Sequence, residues 1–212
     1  MKRTFAIFLL AVLPATSSLA QQSYSTLEDL GEALFFDENL SANRTQACAT
    51  CHDPDFGFTD PRETEAGKSV SLGDDGTSLG DRSAPTASYA AFTPEFYRNE
   101  KGKYVGGMFW DGRAATLEDQ AGGPPLNPIE MGMPDKASVV ERLEENLDYV
   151  TALRAYFGQD VMQDPDAAFL GMTKAIAAFE RTDIFAPFDS KYDRYLRGEL
   201  ELSRQEELGR VL

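Results

Sequence analysis

The sequence is poor in the side chains that bind metals or act as nucleophiles. Its 212 residues include one histidine, two cysteines and one tryptophan. Basic residues are also scarce: 20 Lys and Arg against 35 Asp and Glu give a net charge of −15. Such an acidic chain is a poor partner for nucleic acid or for anionic membranes. The same charge would favour docking of a basic electron-donor protein, or would serve only to keep an exported protein in solution.

Long apolar runs are missing as well. The apolar stretch at residues 5–13 is far shorter than the roughly 20 residues that span a bilayer. It follows a basic tripeptide and precedes a small-x-small site, which predicts a secretory signal peptide over residues 1–20, cut after Ala20. Pro14 argues against the alternative, an uncleaved anchor. The mature protein is then expected in the periplasm, and loss of Lys2 and Arg3 takes its charge from −15 to −17 (−15 − 2).

The scarce residues are concentrated in one pentapeptide, residues 48–52. Cys48, Cys51 and His52 form C-x-x-C-H, the attachment signature of a c-type haem. Three other interpretations stay open. A redox dithiol is expected beside a βαβ pattern, which the sequence lacks, and a zinc site needs four ligands where no further Cys or His remains. A disulfide across so short a loop constrains little, so haem attachment is favoured.

Helical periodicity dominates the remainder, and the absence of continuous strand patterns predicts an all-α fold. Capping-box patterns at residues 25–28 and 138–141 predict two helix starts. Further helices are expected over residues 116–121 and 149–157, and along the strong apolar period of residues 169–179. Gly31 lies inside the first helix, where glycine costs about 1 kcal/mol relative to alanine, so we expect it to allow a close helix crossing.

Two long loops are predicted between these helices. Residues 60–82 are rich in Gly, Ser and Asp; Asp74 and Asp75 lack the spacing of an EF-hand, which favours a solvated acidic loop over calcium binding. Residues 122–135 contain four prolines and therefore predict a stiff loop suited to positioned side chains. At most a small hairpin is expected near Tyr104.

The last ten residues repeat the pattern of the first helix. Ser, Glu, Leu, Gly and Leu recur in residues 203–212 at the spacing they have in residues 25–34. The haem motif begins 17 residues after Gly31 (48 − 31), and the same distance from Gly209 lies past Leu212. The repeat therefore predicts that a second haem domain starts here. A chance match within a common helix-opening pattern is the alternative.

Together these features resemble a known family, the N-terminal half of the bacterial di-haem cytochrome c peroxidases and MauG proteins. The similarity covers nearly all of residues 26–212 and depends on blocks at residues 30–36, 48–54, 82–86, 109–114, 120–131, 177–182 and 187–189. It implies a cytochrome c-like haem domain with long loops over residues 21–202 and the first helix of a second such domain over residues 203–212. One covalent haem c is expected in this chain and two in the full family architecture.

The resemblance also implies roles for individual residues. Gln120 and Glu130 take the family's distal positions, and Pro124 matches a proline packed over the distal face. Trp110 matches the tryptophan between the two haems. Ser83 stands where the family usually has an asparagine that ligates calcium, and the serine weighs against a calcium contact. Without the resemblance, Glu130 and Gln120 would be interpreted as solvated residues and Trp110 as core packing.

The residues leave two functional classes open. In one, an enzyme reduces hydrogen peroxide, or oxidises a protein substrate as MauG does, with Glu130 as acid/base and Gln120 as hydrogen-bonding partner of the peroxide. In the other, an electron carrier uses Met131 or Met133 as sixth ligand. Some family members supply a second histidine to this haem from the loop before residue 82. That loop has no histidine here, which favours an open iron site.

The enzyme class brings expected partners with it. They are hydrogen peroxide and a small electron-donor protein, either a cytochrome or a cupredoxin, acting through the second haem. A homodimer is left open. No nucleic acid is expected, nor any membrane span after signal cleavage.

Overall fold

The computed structural model describes residues 24–212, so the predicted signal peptide lies outside the described residues. Within this part the chain is rich in helix, as the sequence predicts, and has one small hairpin. The elements in order are α1 (Leu27–Phe35), α2 (Cys48–Cys51), β1 (Tyr97–Arg98), β2 (Tyr104–Val105), α3 (Leu117–Ala121), α4 (Gly123–Leu126), α5 (Lys136–Glu144), α6 (Leu147–Phe157), α7 (Pro165–Glu180), α8 (Lys191–Leu196) and α9 (Arg204–Val211). Among these residues no helix is both long and apolar enough to cross a bilayer.

Both predicted capping boxes are displaced in the structure. The N-cap of α1 is Thr26 rather than Ser25, because its Oγ1 accepts from the Asp29 amide at 3.0 Å while Asp29 accepts from the Thr26 amide in return. The N-cap of α5 is Asp135, whose carboxylate accepts from the Ser138 amide at 2.8 Å. Aspartate is among the strongest N-cap residues, so the helix begins before the predicted box.

The core is built where α1 crosses α7. Leu30, Leu34 and Met172 are completely buried between the two helices and their neighbours. A Cβ on Gly31 would lie 1.9 Å from the Ala175 carbonyl oxygen. The close crossing predicted for Gly31 is therefore confirmed: only a residue without a side chain lets the backbones approach this far.

A cluster of phenylalanines connects this core to the cysteine motif. Phe35 contacts Phe58, Phe179 and Phe185 edge-on, with ring centroids 5.4–6.4 Å apart. Phe58 stacks on Phe185 at 4.0 Å. The backbone of Phe58 is thereby fixed by the core, and its carbonyl oxygen lies next to His52.

The two predicted loops differ from expectation in one respect each. Residues 122–135 contain a short helix, α4, because Pro124 and Pro125 lie in its first turn, where a missing amide donor costs little. Residues 60–82 have neither helix nor strand, as predicted, but Asp74 is buried rather than solvated. Its carboxylate accepts from the Asn43 amide at 2.6 Å and from the Thr45 hydroxyl at 2.7 Å.

Candidate haem site

Cys48, Cys51 and His52 lie on the wall of a single cavity of ≈ 550 Å³. This volume falls within the roughly 300–1,000 Å³ typical of cofactor sites. The cysteines are the first and last residues of the one-turn helix α2, so their side chains share a face. Both are free thiols, which corrects any interpretation of the motif as a disulfide.

His52 has its tautomer fixed by the fold. Its Nδ1 lies 3.2 Å from the carbonyl oxygen of Phe58. Since a carbonyl only accepts, Nδ1 carries the proton and Nε2 keeps a lone pair. Burial lowers the pKa of His52, which keeps the ring neutral and able to ligate a metal.

The two thiols have different surroundings. Burial raises the pKa of both, and the charge of Glu180 adds to this effect at Cys48. At Cys51 the guanidinium of Arg62 opposes it, with Nη2 3.3 Å from Sγ. Arg62 is itself held by a two-point ion pair with Asp60, at 2.9 and 2.6 Å.

Glu130 lies on the same cavity, half-buried, on the segment that follows α4. Its Oε1 accepts from Asn127 Nδ2 at 2.8 Å, and its carbonyl oxygen accepts from the Asp74 amide at 2.7 Å. Burial raises the pKa of Glu130, while Asn127 and the positive charge of Arg113 oppose this shift. The arrangement holds the carboxyl in place, and within the described residues its hydrogen bond is made through Oε1 and not through Oε2.

The other residues singled out from the sequence also reach the cavity. Gln120, near the end of α3, and Pro124, in α4, both line it. Trp110 lines its edge, is 64% exposed and donates from Nε1 to the Ser83 carbonyl at 2.8 Å. Simple core packing of Trp110 is therefore wrong.

Two further sets of ligands were considered from the sequence, a calcium contact at Ser83 and a methionine ligand for the iron. In residues 24–212 no three His, Cys, Asp or Glu side chains are grouped so as to hold an ion, and Ser83 presents its carbonyl to Trp110. Of the two candidate methionine ligands, Met131 lines the cavity, whereas Met133 is buried in the apolar core away from the cavity wall.

Three residues that matter here, Asn127, Arg113 and Glu180, were not singled out from the sequence, and a fourth, Asp74, was assigned only to a solvated loop. Asn127 and Asp74 hold Glu130 at its side chain and backbone, and Arg113 lies over the Phe109 ring at 3.6 Å on the cavity wall. Glu180 reaches the cavity from the end of α7. Asn127 lies three residues from Glu130, a spacing that is visible in the sequence; the other three depend on long-range contacts.

The residues present fit a covalently bound haem. Two free thiols on one helical face, an imidazole with an available Nε2 and an apolar wall suit the porphyrin and its iron. The buried Glu180 Oε2 has no hydrogen-bond partner within the described residues, as expected where a cofactor or its water completes the wall.

The fold and the site define a c-type haem protein with polar residues around the haem cavity. The chain belongs to the di-haem cytochrome c peroxidase family, whose family model matches residues 25–201. This family consists of haem peroxidase oxidoreductases and includes the MauG proteins.

Individual relatives agree with this assignment. The chain is 52% identical over 203 residues to the methylamine utilization protein MauG of Paracoccus denitrificans, covering 95% of this chain and 52% of that protein. It is 38% identical over 181 residues to the cytochrome c peroxidase Ccp of Escherichia coli, covering 85% and 33%. Among solved structures, the diheme peroxidase BthA of Burkholderia thailandensis superposes with a TM-score of 0.82 at 34% identity, over 89% of this chain and 46% of that one. The chain thus spans about half the length, or less, of these relatives.

Proposed function

We propose that this chain carries the haem at which hydrogen peroxide is reduced to water, with electrons from a small redox protein arriving through a second haem. The observation that supports this most is Glu130. It is a half-buried carboxyl with a raised pKa, on the cavity of the cysteine motif, and its Oε2 has no hydrogen-bond partner within residues 24–212. A pure electron carrier has no use for such a group.

In this proposal, each residue around the haem has a separate role in peroxide reduction. The haem, when bound, supplies the iron that accepts and passes on electrons. His52 is oriented to bind iron through Nε2. Glu130 takes a proton at Oε2 from one peroxide oxygen and returns it to the other, the leaving oxygen. Gln120 offers an amide for hydrogen bonding to the peroxide. Overall, one peroxide, two electrons and two protons give two waters.

The test is peroxide reactivity of the haem-loaded protein. Glu130→Gln keeps the size of the side chain but cannot transfer a proton, so we expect peroxide to react about 10²–10⁴-fold more slowly, with the haem spectrum unchanged. Glu141→Gln, an exposed carboxyl on α5, is the matched control and should keep the full rate. An unchanged rate in Glu130→Gln would remove Glu130 from the mechanism.

Oxidation of a protein substrate is the second candidate. It is supported by the 52% identity to a MauG protein and by Trp110, whose indole lies at the edge of the cavity and offers a route for electrons out of it. The two activities differ in the source of electrons. Steady peroxide consumption at the expense of a reduced cytochrome or cupredoxin favours the peroxidase, and failure of such donors favours the oxidase.

A plain electron-transfer cytochrome is the third candidate function. Met131, on the cavity wall, is the residue that favours it, because its sulfur could serve as a second protein ligand beside His52 when haem is bound. Such a protein would show a ferric sulfur-to-iron charge-transfer band and would bind neither peroxide nor carbon monoxide. We expect the opposite, an open or weakly ligated iron.

The proposal includes a second haem domain that begins at α9. The N-cap of α9 is Ser203, which forms a capping box with Glu206, and Leu208 and Val211 are more than half exposed. Gly209 has no atom within 4 Å of its would-be Cβ, whereas Gly31, its counterpart in the repeat, lies tightly against α7. A periplasmic location is also part of the proposal, supported by the attachment chemistry of c-type haem.

A further inference from the structure

Glu180 is a buried carboxyl that the proposed peroxide chemistry does not use. It is the last residue of α7, it is 5% exposed, and it lines the cavity shared with Cys48 and His52. Its Oε2 is buried without any hydrogen-bond partner among the described residues. A carboxyl in this position is rarely structural, because an unpaired buried polar atom is destabilising unless something else compensates it.

The charges around Glu180 do not supply that compensation. Arg181, the next residue, makes its ion pair with Glu118 of α3 at 2.9 Å. Arg181 still lowers the pKa of Glu180 and Glu118 raises it, but burial outweighs both and raises the pKa to about 7. On the side of α2, the group within electrostatic reach is the Cys48 thiol, which becomes an uncharged thioether once haem is attached.

Cys48 and Glu180 line the same cavity, so a haem attached at Cys48 would supply, through its iron, a positive charge that could balance Glu180. Ferric haem carries one more positive charge than ferrous haem. A nearby carboxylate is stabilised by the ferric state and, in a dry environment, loses that stabilisation on reduction.

We propose that Glu180 is a redox-linked proton site, which takes up one proton when the haem gains an electron and releases it when the electron leaves. This inference depends on the proposed function in that it requires the haem. The electron comes from the donor protein, or from dithionite in an experiment, and the proton comes from water. The proton joins a carboxylate oxygen, no bond to iron forms or breaks, and the net charge of the cavity stays constant.

The consequence for function is that electrons enter the cavity together with protons. Peroxide reduction consumes both in equal number. Glu130 moves a proton between the peroxide oxygens, while Glu180 would set how easily the iron accepts the electron at a given pH. Glu180 would thus act on the reduction potential of the haem through its charge, without contacting the peroxide.

The experiment is a spectroelectrochemical titration of the haem-loaded full chain between about pH 5 and pH 9, the range in which a carboxyl with a raised pKa titrates. Between the pKa values of the ferric and ferrous states, each tenfold fall in proton concentration should lower the midpoint potential by up to about 59 mV. Glu180→Gln and Glu180→Leu should both flatten this dependence, and Glu130→Gln should retain it. In wild type, reduction should also produce an infrared carboxylic-acid band that both Glu180 variants lack.

Each outcome decides the matter. A pH-independent wild-type potential, the same slope in a Glu180 variant that binds haem, or a slope that only Glu130→Gln removes would each overturn the inference. If neither variant folds, the infrared difference spectra of wild type and Glu130→Gln still test the inference. No acid band on reduction, or a band that Glu130→Gln removes, would overturn it, and a band that persists in Glu130→Gln would support it. Peroxide reactivity is measured separately. A wild-type protein that does not react with peroxide would count against the proposed function and not against the role of Glu180.

Discussion

The substitution Gly31→Ala tests the helix crossing on which the haem site is built. The added Cβ would lie 1.9 Å from the Ala175 carbonyl oxygen, 2.7 Å from its carbon and 2.9 Å from the Phe179 Cβ. Two of these three atoms belong to the backbone of α7, so no side-chain rotation relieves the clash.

The magnitude follows from how far the helices must separate. Ordinary contact begins near 3.4 Å, so α1 must move from α7 by about 1.5 Å (3.4 − 1.9). That displacement loosens Leu30 and Leu34, both at 0% exposure. Overpacking of this kind costs about 1–3 kcal/mol or more, while alanine gains about 1 kcal/mol in helix propensity. Because the clash is with backbone, we take the upper end of that cost, which leaves a net loss of about 2 kcal/mol (3 − 1), or roughly 4–8 °C in Tm for a domain of this size.

The assay is thermal and urea unfolding of the haem-loaded protein, followed by circular dichroism and haem absorption. Gly209→Ala is the matched control, because Gly209 is helical and nothing lies within 4 Å of its would-be Cβ. That variant should be unchanged or up to about 1 kcal/mol more stable. Equal stability of the two variants would refute the tight crossing.

The remaining predictions concern the cavity. Burial raises the pKa of Glu180 to about 7 in the folded chain, against 4.5 in the unfolded chain. The unfolded chain loses this proton first, so the free energy of unfolding should fall by about 1.4 kcal/mol per pH unit from pH 4.5 to about 7 and stay level above. Glu180→Gln should lack this slope in urea unfolding across pH, and an unchanged slope would contradict the assignment. Cys51→Ala should keep one thioether, seen as a shifted pyridine haemochrome and haem retained on a denaturing gel; loss of all covalent haem would be the contrary result.

The helices were largely predictable because their signals are local. The apolar period of α7 and the two-residue strands near Tyr104 were expected within a few residues. The starts of α1 and α5 were not, since several adjacent residues can cap a helix and only the geometry selects Thr26 and Asp135. The helix α4 was missed because prolines end most helices but are tolerated in a first turn.

Residue identity and spacing were enough to predict the chemistry of the site. The spacing of Cys48, Cys51 and His52 predicts haem attachment, and the family resemblance predicts that Gln120, Pro124 and Glu130 belong to one site. These are matters of residue identity and separation along the chain. The close helix crossing at Gly31 was also predictable, because a glycine inside an amphipathic helix is destabilising unless close packing requires it.

The electrostatic environment of that site depends on the tertiary structure. The fold buries Asp74 and places its amide on the Glu130 carbonyl, exposes Trp110, and brings Met131 but not Met133 to the cavity. It also leaves Glu180 Oε2 on the wall without a hydrogen-bond partner among residues 24–212. Burial, pairing and pKa depend on segments that are distant in sequence and meet only in the fold. No local pattern encodes them, and they determine which carboxyls of an acidic chain can hold or move a proton.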